Sequence, residues 1–85
     1  MSRSVYGEPR EPHDQQAILD GILTFVDNFR LTHAYGPSYR EIGDGVGLRS
    51  KSDVHRYMHL LRRRYLIEWD DGIARSVRVT PLAQA

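Results

Sequence analysis

The segment from Arg49 to Arg64 carries the side chains best suited to contact a polyanion. Six basic residues stand there against one acid, Asp53; they are Arg49, Lys51, Arg56, Arg62, Arg63 and Arg64. Ser50 and Ser52 add short polar side chains near its start. Basic groups neutralise phosphates, and arginine can also form paired hydrogen bonds to the O6 and N7 of guanine. The segment therefore predicts recognition of duplex DNA by charge and hydrogen bonding.

Catalysis and metal binding find little support in the residue pattern. No serine, histidine and acid are placed as a triad, and no glycine-rich phosphate loop follows a strand, so we expect no enzyme. There is no cysteine, which excludes thiolate metal sites. His55 and His59 have the spacing of a two-histidine metal pair, but no carboxylate accompanies them, and we interpret them as polar surface residues. We expect no metal, no cofactor and no small-molecule ligand.

Length and charge indicate one small domain with a polarised surface. The 85 residues have a net charge of +1, but residues 1–48 carry four basic and seven acidic side chains, and residues 49–85 carry eight and four. One basic half is typical of a polyanion-binding face, although a plain solvated helix surface would also explain it. No apolar run could span a membrane and no signal peptide begins the chain. We expect a cytoplasmic protein, nucleoid-associated when bound to DNA.

The first predicted helix provides the scaffold of the domain. A helix from Asp14 to Leu31 is indicated by apolar residues that recur at steps of three and four. These residues are Ile18, Ile22, Phe25, Val26 and Phe29. Residues 1–12, with Gly7 and two prolines among charges, are predicted to be a flexible arm.

Two capped helices separated by a glycine-marked turn follow. Ser38 and Glu41 form a capping-box pattern that predicts a second helix from Tyr39 to Gly45. Ser50 is expected to cap a third helix that runs to Arg64. Its inward residues should be Val54, Met58 and Leu61, which leaves Lys51, Ser52, His55, Arg56 and His59 facing outward. Two helices in this arrangement, the second one basic, are typical of a helix-turn-helix.

A hairpin is predicted directly after the third helix. Leu66–Trp69 and Ser76–Thr80 alternate as strands, and Asp70-Asp71-Gly72 between them has a turn signal. The predicted fold is therefore α+β, a winged helix-turn-helix with three helices followed by a two-stranded β-hairpin wing. Residues 13–80 form the domain, and residues 81–85 are a C-terminal tail.

In this order, the motifs resemble the DNA-binding domain of the LexA family of SOS-response repressors. The matching residues are Pro37-Ser38, Arg40-Glu41-Ile42-Gly43, Val46-Gly47-Leu48, Ser50, Ser52, Val54 and Leu66-Ile67. The resemblance covers residues 14–80. It implies a transcriptional repressor or regulator that recognises a dyad operator through the third helix, with double-stranded DNA as partner and a homodimer on DNA. The alternatives are a winged-helix adaptor for protein contacts and an accessory DNA factor of a mobile element.

The resemblance also implies which residues contact DNA. The expected base-reading residues, which contact base edges, are Ser52, Asp53, His55 and Arg56, with Ser50 beside them. The residues expected at the DNA backbone are Ser38, Tyr39, Arg40, Arg49, Ser50, Lys51, Arg62, Arg63, Arg64, Arg75 and Arg78. Six to eight basic contacts would give a log–log salt slope of about −5 to −7.

Asp53, Tyr57 and Trp69 each have two possible roles, one at DNA and one within the fold. Asp53 could accept a hydrogen bond from cytosine N4, but completion of a second capping box with Ser50 is slightly favoured. Tyr57 and Trp69 could stack on bases, but packing into the core is favoured for both.

The sequence also departs from the family pattern. Tyr65 stands where the family usually has glycine after the third helix, which costs about 1 kcal/mol or requires another cap. Arg62-Arg63-Arg64 is more basic than the mixed-charge run usual there, which predicts stronger backbone binding. The family's serine–lysine protease domain is not found in these 85 residues.

Overall fold

Three helices precede a two-stranded hairpin in the computed structural model, which describes residues 12–84. The elements in chain order are α1 (Pro12–His33), α2 (Tyr39–Val46), α3 (Lys51–Arg63), β1 (Ile67–Glu68), β2 (Arg78–Val79) and α4 (Pro81–Gln84). The strands are antiparallel, with Ile67 opposite Val79 and Glu68 opposite Arg78. The predicted winged helix-turn-helix of class α+β is confirmed.

The element ends differ somewhat from the predicted ones. The α1 helix begins two residues before Asp14, and the predicted arm otherwise lies outside the described residues. Each strand is two residues long, and hydrogen bonds of Ser76 hold the loop between them. The Ser76 hydroxyl accepts from the Asp70 N–H at 2.9 Å and donates to the Ile73 carbonyl at 2.8 Å.

Residues 81–84 form a short helical turn beside α1. The Ala83 N–H donates to the Thr80 carbonyl at 3.1 Å, and the Gln84 side chain donates to Asp27 of α1 at 3.1 Å. Thr80 is itself buried, and its hydroxyl donates to the Tyr65 carbonyl at 2.6 Å. The chain after β2 is thus tied to α1 and to the end of α3.

The core lies where α1, α2, α3 and the hairpin meet. Its buried members are Leu19, Ile22, Val26, Ile42, Leu48, Val54, Tyr57, Met58, Leu61, Ile67 and Val77. The predicted inward face of α3 is confirmed. Phe29 of the predicted α1 stripe is only half-buried, and its ring stacks on His33 with centroids 3.9 Å apart. Tyr57 is 1% exposed, which confirms packing as its role.

The turn between α2 and α3 depends on a close approach at Gly43. A Cβ there would lie 3.0 Å from both the Leu48 carbonyl oxygen and a methyl group of Val54. Gly47 ends α2 with a φ of 80°, and the Leu48 N–H then donates to the Gly43 carbonyl at 2.8 Å. This capped turn fixes the direction in which α3 leaves α2.

Tyr65 adopts the left-handed conformation that glycine favours. Its φ is 61°. The Tyr65 N–H donates to the Arg62 carbonyl and the Leu66 N–H to the Leu61 carbonyl, both at 3.0 Å, which is the bonding pattern of a Schellman cap. The tyrosine side chain is 74% exposed and contributes little packing. The predicted strain at this departure from the family pattern is therefore present in the backbone.

Tyr65→Gly is expected to raise the free energy of unfolding by about 1 kcal/mol, because it removes the cost of a Cβ in the left-handed region. Urea denaturation followed by circular dichroism measures the change. Tyr65→Ala is the matched control, since it removes the ring but keeps Cβ and should leave stability nearly unchanged. Equal gains in both variants would assign the effect to the exposed ring and not to the backbone.

Candidate nucleic-acid interface

The α3 helix presents one exposed polar face to solvent. Ser50 caps its start, and the Ser50 hydroxyl accepts from the Asp53 N–H at 3.3 Å. Val54, Tyr57, Met58 and Leu61 are buried and fix the rotation of the helix. The residues predicted to face outward are all exposed: Lys51, Ser52, His55, Arg56 and His59.

Three of the four predicted base-reading residues, Ser52, His55 and Arg56, lie exposed on this face, and Asp53 is half-buried beside them. The Asp53 carboxylate accepts from Nη2 of Arg56 at 3.0 Å. The favoured prediction of a second capping box is therefore wrong in its second half, because the carboxylate binds the cation one turn on instead of turning back to Ser50. This hydrogen bond is the main reason that the pKa of Arg56 is raised.

A row of four rings joins α2, α3 and the wing. The His55 ring stacks on His59 with centroids 4.3 Å apart, Tyr39 meets His55 edge-on at 5.7 Å, and Trp69 meets His59 edge-on at 5.2 Å. Burial, followed by the His55, Arg62 and Arg63 charges, lowers the pKa of His59. Trp69 is half-buried against the core, as favoured from the sequence. Residues 12–84 contain no group of three or more side chains that could hold a metal ion.

Five predicted backbone contacts form the free cations of the surface. They are Arg40 of α2, Arg49 before the Ser50 cap, Lys51 at the start of α3, and Arg63 and Arg64 at its end. All five are exposed, and none forms an ion pair with another residue of the described chain. Positive charge is thus placed at both ends of α3.

Arg62, by contrast, is bound to the wing. Nη1 of Arg62 lies 3.2 Å from the Asp71 carboxylate, and Nη2 donates to the Trp69 carbonyl at 3.1 Å. Its guanidinium carbon lies 4.2 Å from the centroid of the Trp69 ring. The side chain thus links the end of α3 to the hairpin.

The two wing arginines also have acidic partners. Arg75 donates to Glu41 at 2.7 Å, and Arg78 lies 3.2 Å from Glu68 and 3.4 Å from Asp70. Hydrogen bonds from the Ser38 backbone and from Arg75 lower the pKa of Glu41. The charge of both arginines is therefore largely balanced within the fold.

Ser38 and Tyr39 are also occupied by contacts within the domain. Ser38 and Glu41 form the predicted capping box, with hydrogen bonds of 3.1 Å and 2.8 Å. Tyr39 is half-buried between His55 and Trp69, and burial raises the pKa of its phenol. Neither of these two residues is as exposed as the five free cations.

A family profile described as the LexA DNA binding domain matches residues 13–76. The chain belongs to the LexA DNA-binding domain family. The matched range includes all of α1 except its first residue, then α2, α3, β1 and most of the wing loop. It thus contains the whole exposed face of α3 and all five free cations.

Curated LexA repressors are similar to two thirds or more of the chain. LexA repressor 1 of Nocardia farcinica is 40% identical over 58 residues, 68% of this chain and 27% of that repressor. The LexA repressor of Koribacter versatilis is 35% identical over 65 residues, 76% of this chain and 29% of that protein. The LexA repressor of Exiguobacterium sibiricum is 42% identical over 65 residues, 76% of this chain and 30% of that repressor. The chain therefore spans less than a third of these relatives.

The ion pairs of this LexA-family domain are the feature that sequence reasoning missed. Arg75 and Glu41 are 34 residues apart in the chain, and Arg62 and Asp71 are 9 apart. The acids at Glu68, Asp70 and Asp71 were a signal that wing charge would be balanced, but no local pattern assigns their partners.

Within the described residues, no helix combines the length and apolar character needed to cross a bilayer.

Proposed function

We propose that this chain binds duplex DNA in a sequence-specific manner and acts as a LexA-like transcriptional repressor. The observation that carries the proposal is the exposed face of α3, where Ser52, His55 and Arg56 lie between free cations at both helix ends. Membership of the LexA DNA-binding domain family supports it. We assign no catalytic role to the domain and infer a cytoplasmic site of action, at the nucleoid.

The dimensions of α3 suit the major groove. Its 13 residues give a length of about 20 Å at about 1.5 Å per residue. The major groove is about 12 Å wide, so cations at the two ends of the helix reach the phosphates that border it while the centre faces base edges. We therefore assign Arg49, Lys51, Arg63 and Arg64 to phosphates, together with the exposed Arg40 of α2. Ser52, His55 and Arg56 are assigned to bases.

Recognition of a dyad follows if two copies bind together. Two recognition helices on a palindrome must lie about 34 Å apart, or a multiple of one DNA turn. The apolar stripe of α1 is used by the core, with Leu19, Ile22 and Val26 all buried. We therefore propose that the domain pairs on DNA and is a monomer or a marginal dimer without it.

Selection of bound sites from random duplex DNA tests the function directly. We expect an enriched motif with two inverted half-sites. Retention of duplexes without any enriched motif would contradict sequence-specific binding. Failure to retain DNA at low salt would contradict the DNA interface itself and leave the adaptor function as the better explanation.

Arg56→Ala is expected to weaken binding to the preferred site about 10- to 100-fold and to relax discrimination at one base pair, because arginine can donate two hydrogen bonds to guanine. Arg63→Ala is the matched control, an exposed arginine of the same helix assigned to phosphate. It should weaken all sequences about equally. Binding to a panel of single-base variants of the selected site measures both. A uniform loss for Arg56→Ala would move base contacts to Ser52 and His55.

A further inference from the structure

Asp53 poses a problem for a DNA-binding face. It is the one acid between Arg49 and Arg64, and it sits in the first turn of α3, between exposed Ser52 and Arg56. A carboxylate near phosphates lowers affinity for DNA by repulsion. The cap at Ser50 uses only the backbone N–H of Asp53, which any residue other than proline supplies. An acid in the first turn also interacts favourably with the helix dipole, but that effect does not require the contact with Arg56 that the structure shows.

The Asp53 side chain holds the guanidinium of Arg56. Oδ1 of Asp53 lies 3.0 Å from Nη2 of Arg56, and the side chains are 36% and 58% exposed. The guanidinium carbon also lies 4.8 Å from the centroid of the Tyr57 ring, which the core holds in place. Two contacts therefore restrain one guanidinium. Nη2 carries two N–H groups and its contact with Asp53 uses one, so the second N–H and a neighbouring nitrogen still form a two-donor edge for a ligand.

A stabilising role does not explain the pair. Exposed ion pairs three residues apart on a helix contribute little to stability, and salt screens them. An unrestrained arginine, however, has large rotamer freedom and can meet a phosphate as readily as a base. A carboxylate partner removes part of that freedom and opposes approach to phosphate, while it leaves paired hydrogen bonds to guanine intact.

We propose that Asp53 is a specificity-determining positioning residue that holds Arg56 in the orientation for guanine and disfavours its binding to phosphate. The proposal rests on the function proposed above, in which Arg56 contacts a base. It assigns Asp53 an indirect role in place of direct acceptance from cytosine N4. Asp53 then lowers affinity for DNA in general and raises the preference for the correct site.

A four-protein comparison tests this role: the wild type, Asp53→Asn, Arg56→Ala and the double variant. Each is measured against the selected duplex, the duplex with the guanine contacted by Arg56 replaced, and a random duplex. Asp53→Asn should bind the random duplex about threefold more tightly, because one repulsive charge is gone. Its preference for the guanine site should fall about five- to tenfold. In the Arg56→Ala background the same change should leave the preference unaltered.

Three results would overturn the proposal. An unchanged preference in Asp53→Asn would make the ion pair incidental, and an equal loss in the Arg56→Ala background would make Asp53 a direct base contact. Asp53→Glu keeps the carboxylate and should therefore retain more of the preference for guanine than Asp53→Asn does. An equal or lower preference in Asp53→Glu would also count against positioning. Thermal denaturation should show that every variant remains folded at the temperature of the binding measurements, with at most a small loss in the variants that lack the first-turn carboxylate. If Arg56→Ala alone leaves the base profile unchanged, Arg56 does not contact a base, and the proposed function of Arg56 is wrong. This result is distinct from an unchanged preference in Asp53→Asn, which contradicts only the role of Asp53.

Discussion

Tyr57→Ala is expected to lower the free energy of unfolding by about 3–5 kcal/mol, the usual cost of removing a buried aromatic ring. Tyr57 is 1% exposed and is among the largest fully buried side chains of the domain. It belongs to the same core cluster as Met58 and Leu61 of α3 and Ile22 of α1. Since small domains have about 5–15 kcal/mol in total, the variant should be close to unfolded at 37 °C.

Urea denaturation measures this loss, and Tyr57→Phe is its matched control because it keeps the ring. The control should stay near the wild type in stability and in DNA affinity. A Tyr57→Ala variant that remained as stable as the wild type but bound DNA weakly would contradict the packing role. It would return Tyr57 to the alternative considered from the sequence, stacking on a base.

Local signals in the sequence predicted the elements well. The Ser38–Glu41 pair and Ser50 each act over three residues, and the structure shows the corresponding caps. The spacing of Val54, Met58 and Leu61 correctly predicted which face of α3 is buried. These signals succeed because a cap or a helical stripe is decided by residues within one or two turns.

Contacts between distant residues could not be predicted in the same way. The Arg75–Glu41 pair depends on how the wing packs against α2, and the Arg62–Asp71 pair depends on the angle of the hairpin. The partner of the Asp53 carboxylate was not predicted, for a different reason. Its two local partners, Ser50 and Arg56, compete, and the pattern of residues alone does not show that the cation takes the carboxylate.

The same distant contacts change what the sequence implies for the candidate site. The sequence alone predicts that Arg62, Arg75 and Arg78 are as available to phosphates as the other cations. In the fold, however, each has an acidic partner. A paired arginine must give up its carboxylate before it can meet a phosphate. The wing is therefore a weaker phosphate-binding element than its arginines suggest.

Affinity for duplex DNA is expected to fall with salt with a log–log slope of about −4 to −5 per bound domain. Five free cations are assigned to phosphates: Arg40, Arg49, Lys51, Arg63 and Arg64. The steeper slope predicted from sequence, about −5 to −7, counts the paired arginines as well. Fluorescence anisotropy between about 0.1 and 0.3 M salt should show about a 100-fold loss of affinity. A slope near zero would contradict the proposed interface.

Asp71→Asn provides the sharper measurement, because it releases Arg62 from its ion pair between α3 and the wing. The released arginine can neutralise one more phosphate, so the slope should steepen by up to about one. Asp20→Asn is the matched control, since it removes the same charge from an exposed carboxylate of α1 whose described partner is Gln16. Its slope should equal that of the wild type. Equal steepening in both variants would assign the effect to net charge, and an unchanged slope in Asp71→Asn would place Arg62 away from the phosphates.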